Sequence, residues 1–129
     1  MSFSLNKIHQ IAAYSSDLDR SIAFYRDYLG AEFIAKFDPP GLAFFRFGDT
    51  RVLLEPNAPR ATLYFWVDDI SKSVEALRAK GIQFDAEPTV IFRDDEGLFG
   101  AAGAEEWMAF FHDPDNNVLA LASQALPKT

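Results

Sequence analysis

The chain has 129 residues, nearly half of them hydrophobic, enough to bury roughly two-thirds of its unfolded surface in a self-standing core. Twelve basic against nineteen acidic residues give a net charge of −7 with no Lys/Arg cluster, which argues against nucleic acid and anionic membranes as partners. No cysteine is present, so disulfides, thiolate nucleophiles and zinc-thiolate sites are excluded.

The opening "MSFSLNKIHQ" lacks a charged stretch followed by an apolar one, and no apolar run reaches membrane-spanning length. A cytoplasmic protein is expected. The first strand-like run is "KIHQIAAY" from Lys7. "SSDLDRSIAFYRDYLG" follows, with Leu18, Ile22, Tyr25 and Leu29 at helical spacing, Asp17 where an N-cap belongs and Gly30 where the chain must turn out of the helix. Three short runs come next, "EFIAKF", "LAFFRF" and "RVLLE", punctuated by the turn signals "DPPG" and "GDT".

The pattern then starts again. "ATLYFWV" from Ala61 precedes "DDISKSVEALRAKG", in which Asp69, Ile70, Ser73, Val74 and Arg78 repeat Asp17, Leu18, Ser21, Ile22 and Arg26 at an offset of 52 (69 minus 17). "IQFDAEPTVIF", "WMAFFH" and "NVLALAS" complete the second set, the last two separated by the turn "DPDNN". Each half reads β-α-β-β-β, so the expected fold is α+β, with modules over 7–57 and 60–123 making one domain. One helix covers one face of a four-stranded sheet, so the other faces are expected to line a cleft. Alternation with Leu63 and Phe65 under the helix sets Thr62, Tyr64 and Trp66 on the cleft side. Gln10, Ala12 and Tyr14 follow in the first module, with Phe45 and Phe47 at the cleft or its rim, and His9 points away. An aromatic cleft suits planar or cationic groups.

The duplicated order, "SDLDRSIAFYRDYLG", "FWVDDISKSVEALRAKGIQF" and the closing "WMAFFHDPDNNVLALAS" resemble the vicinal oxygen chelate superfamily over about Lys7 to Ser123. That group holds glyoxalase I, bleomycin resistance proteins, extradiol dioxygenases, methylmalonyl-CoA epimerase and fosfomycin resistance enzymes. In its metal-dependent members a His or Gln on the first strand and a Glu on the last strand of each module converge on a divalent ion that stabilises developing negative charge. Carried over by residue, the resemblance puts Gln10 and Glu55 in the first module, and Thr62 and Ala120 in the second, at these positions. Thr62 is a weak neutral donor and Ala120 is none, so the implied metal set is incomplete.

Two functions follow from the resemblance. One is binding of a small organic molecule with no cofactor, as in bleomycin resistance proteins. The other is a divalent-metal lyase, epimerase or dioxygenase using Gln10 and Glu55, with Glu55 alternatively a metal-free general base. The segment "FRDDEGLFGAAGAEE" reads as a loop able to cover a ligand, bringing Arg93, Phe99 and Trp107 to it. A homodimer is expected because open sheet edges pair readily.

Overall fold

A computed structural model describes residues 3–127. The chain divides into two compact units between Ala61 and Thr62. The first contains β1 (Gln10–Tyr14), α1 (Leu18–Ile22), β2 (Glu32–Phe37), β3 (Leu42–Phe47) and β4 (Thr50–Glu55), and the second β5 (Thr62–Trp66), α2 (Ile70–Ala79), β6 (Thr89–Asp94), β7 (Ala104–His112) and β8 (Val118–Ala125). Each unit is one β-α-β-β-β module, and the class is α+β.

The two sheets share one topology. Their strand orders are β1-β4-β3-β2 and β5-β8-β7-β6, with the first and last strands of each module parallel and the remaining pairs antiparallel. Both helices start as the sequence dictates: the Asp17 carboxylate accepts from Arg20 N and the Asp69 carboxylate from Lys72 N, each at 3.1 Å. A glycine with positive φ follows each, Gly30 at 73° and Gly81 at 97°, and α2 shows its use. Ile82 N donates to Leu77 O and Gly81 N to Arg78 O, a closure that needs the positive φ of Gly81 (97°).

Two expectations are corrected. α1 continues over Ala23–Tyr28 as a π-helical stretch, closed by Leu29 N to Phe24 O at 3.2 Å. Its wider turn buries Phe24 and Tyr25 and leaves Tyr28 exposed. The run from Ile82 is not one long strand: only Thr89–Asp94 pairs, because Pro88 has no N–H to give the ladder and Asp85 N is taken by Phe110 O at 2.8 Å. Phe84 instead packs on Phe111, ring centroids 5.0 Å apart.

The cores lie between each helix and its sheet. In the first unit Ala13, Leu54, Ala43 and Phe45 are fully buried on the helix side, where the Tyr25 ring meets Phe45 at 5.6 Å. In the second, Phe111 and Leu119 hold that place. Among the described residues no helix is long and apolar enough to cross a membrane.

Candidate functional site

On the first unit's face away from α1, one rung across the sheet reads Gln10, Arg51, Arg46. Arg51 Nε donates to Gln10 Oε1 at 2.7 Å, and its guanidinium lies 5.3 Å from the Phe44 ring centre. A second nitrogen, Nη2, is 3.1 Å from His9 Nε2. A guanidinium only donates, so this His9 nitrogen is the acceptor and its proton sits on Nδ1. His9 therefore joins the Gln10 face rather than turning from it; it precedes β1, so strand alternation does not bind it. Arg46 is neutralised by Glu32 at 2.8 Å, whereas the contacts of Arg51 are an amide, an imidazole and a ring.

The parallel registers reassign Glu55. In the second unit Thr62 pairs with Val118, and Ala120 stands opposite Tyr64. In the first, Gln10 pairs with Arg51, so the counterpart of Ala120 is Leu53, opposite Ala12. Glu55 stands opposite Tyr14, as Ala122 stands opposite Trp66. Equating Glu55 with Ala120 was an error of register, since a loop of unknown length between strands leaves sequence offsets free to slip. Glu55 is four residues beyond Arg51 on β4, about 13 Å along the strand. Gln10 and Glu55 are thus at opposite ends of the face. Beside Glu55, Tyr14 carries the Arg60 guanidinium 5.1 Å above its ring.

The aromatic candidates separate by face. Phe45 is on the helix side and fully buried against Tyr25, so it belongs to the core, and alternation puts Phe47 on the same side. Tyr64 and Trp66 lie on the second unit's face away from α2 and remain 57% and 60% exposed. The Tyr64 ring meets the edge of Phe110 at 6.2 Å, and Trp66 Nε1 donates to Asp68 at 3.2 Å. Trp107 is on the other side of its sheet, in register with Ser123 and Val90. Arg93 shares that side and pairs with Asp95 at 2.9 Å.

The loop after β6 is held from its base. The Asp94 carboxylate accepts from Leu98 N at 2.7 Å and Phe99 N at 2.8 Å, and Gly103 N donates to Asp94 O at 2.7 Å. These N–H groups, Phe99 first, hold the Asp94 carboxyl below the usual carboxylate range against the opposing effect of burial. The Phe99 ring stacks edge-on with Phe92 at 5.6 Å. His112, at the end of β7, faces Asp85 at 3.4 Å, and the following "DPDNN" turn is closed by the buried Asp113 carboxylate, which accepts from Asp115 N, Asn117 N and Asn117 Nδ2.

A divalent ion does not fit the family positions as this chain fills them. Gln10 Oε1 is committed to a cation, Leu53 and Ala120 have no donor, and Thr62 offers a neutral hydroxyl. Among the described residues no group of three His, Cys, Asp or Glu could hold a metal ion. Sequence reasoning missed Arg51; its signal was the shared parity of Arg51, Leu53 and Glu55 in "TRVLLE".

Several solved structures share the fold. A lactoylglutathione lyase from Agrobacterium tumefaciens is 24% identical over 93% of this chain and 95% of that one, with a TM-score of 0.72. TnmS3, an antibiotic binding protein from Streptomyces sp. CB03234, is 18% identical over 96% and 100%, with a TM-score of 0.76. SMU.1112c is 27% identical over 92% and 99%, with a TM-score of 0.71. No curated protein matches the chain. The family profile of the Glyoxalase/Bleomycin resistance protein/Dioxygenase superfamily matches residues 7–121, and with the duplicated modules described above this establishes that the chain belongs to that superfamily.

Proposed function

We propose that the protein binds a small planar organic molecule without a complete metal site. The observation that carries this reading is the Arg51 guanidinium on Gln10 Oε1, which puts a fixed positive charge where the metal-dependent members need an open ligand. Leu53 and Ala120, at the matched positions, turn two further donors into methyl surface. Tyr64 and Trp66 supply the attraction. Two large rings exposed on one edge strand, residues i and i+2, stand about 7 Å apart, so both reach a single planar ligand. The Trp66 bond to Asp68 and the Tyr64 contact with Phe110 orient the rings beforehand, which lowers the ordering cost of binding.

The likeness to an antibiotic binding protein accords with this reading. Calorimetric titration with a panel of planar compounds tests it. Tyr64→Ala and Trp66→Ala are each expected to weaken binding about 3- to 10-fold, the loss of one stacking contact. Unchanged affinity in both variants contradicts the proposal.

A further inference from the structure

The second unit holds another concavity, on the helix side of its sheet, away from the Tyr64 ring and touched by Trp66 only through its bond to Asp68. It measures about 680 Å³ and lies where the start of α2 meets the ends of β7 and β8. That size falls in the range of about 300–1,000 Å³ typical of small-molecule sites. Among the described residues its lining includes Trp107, Ser123 and the carboxylates of Asp68, Asp69, Glu87 and Glu105, and no Lys, Arg or His; of these carboxylates Glu87 is paired, with Arg78 at 2.7 Å. The positive end of α2 does not reverse this sign, because the Asp69 carboxylate already takes Lys72 N.

Two further observations point to a ligand. Ser123 is only 4% exposed, yet its hydroxyl has no hydrogen-bond partner among the described residues. No side-chain polar atom there is both sealed from solvent and unpartnered, so the accessible part of Ser123 includes its hydroxyl, which opens on the groove. Glu105 is half-buried and stands opposite Arg93 in register, but Arg93 turns to Asp95 at 2.9 Å and leaves the Glu105 carboxylate without a cation among the described residues. Alternation places Glu105 and Trp107 on one side of β7, with Ser123 directly across from Trp107.

We infer that this groove is a binding site for a small organic ammonium ion, with the cation over the Trp107 face, an N–H to the Ser123 hydroxyl and the charge facing Glu105. Cation-aromatic attraction and a carboxylate select charge, and the apolar wall takes the organic body.

The test uses the intact chain carrying Trp66→Phe, so that Trp107 is the one tryptophan, and follows its fluorescence on titration with benzylammonium and with the neutral isostere benzyl alcohol. Saturable change is expected with benzylammonium, at least 10-fold tighter than with benzyl alcohol. Glu105→Gln is expected to weaken benzylammonium binding at least 5-fold, and Ser123→Ala about 3-fold, with the thermal transition of each variant confirming that it folds. Absence of saturable change, equal affinity for the alcohol, or insensitivity to Glu105→Gln in a folded variant overturns the proposal. Binding that is seen only when Trp66 is intact and that Glu105→Gln leaves unchanged places the probe on the opposite face and overturns it equally, without touching the planar-ligand reading.

Discussion

Arg51 donates at once to the amide oxygen of Gln10 and to the ring nitrogen of His9. Arg51→Met leaves both acceptors without that donor and is expected to cost about 1–2 kcal/mol, the scale of a part-buried hydrogen bond to a charged group, read from urea unfolding. The same variant frees Gln10 without adding a donor at Leu53, Thr62 or Ala120, so it is not expected to gain affinity for a divalent ion. At Asp94 the relevant variable is pH. Its folded carboxyl is held low by the Phe99 and Leu98 N–H groups, so the loop's stabilisation is full above the unfolded value of about 3.9 and is lost as pH falls through the folded one. The amide resonances of Leu98 and Phe99 should therefore titrate with a midpoint below 3.9. A midpoint at or above that value contradicts the assigned bonds.

Elements show why some of this was legible in the sequence and some was not. Asp17, Asp69, Gly30 and Gly81 act on backbone within a turn of themselves, so their residue type alone announced the helix ends. Asp69→Ala is expected to destabilise the chain by about 1 kcal/mol in thermal unfolding. The pairing of β1 with β4 joins residues about 40 apart, and nothing local in "RVLLE" fixes which of Leu53 and Glu55 meets Ala12. Sequence offsets alone therefore bring Glu55 into a ligand set that the register denies it. Phe45 was misplaced for a related reason: in "LAFFRF" adjacent Phe44 and Phe45 satisfy either parity, and only the Tyr25 ring above the sheet decides between them. The π-helical widening of the first helix was equally hidden, since apolar residues spaced at three and four suit both kinds of turn.

For the whole molecule, one module written twice has kept its topology while the chemistry of its matched positions has diverged. Gln10 answers to Thr62, Leu53 to Ala120 and Glu55 to Ala122, so the strand framework is repeated and a metal set is not. Charge belongs to this scale too: at −7 the chain favours cations, while Arg51 holds a positive point on one face. We propose from the edge strands of each sheet that the chain forms a homodimer, which solution scattering tests by giving twice the chain mass of 14.5 kDa; a monomer mass contradicts it.

The central claim, binding without a complete metal site, is tested most directly by one titration. Planar aromatic compounds are added with chelator present, and again with nickel, zinc, manganese, iron or cobalt, to the chain carrying Trp107→Phe, so that the fluorescence followed is that of Trp66. Saturable binding that chelator leaves unchanged is the expected result. Binding that vanishes with chelator and returns with one equivalent of a divalent ion contradicts the account.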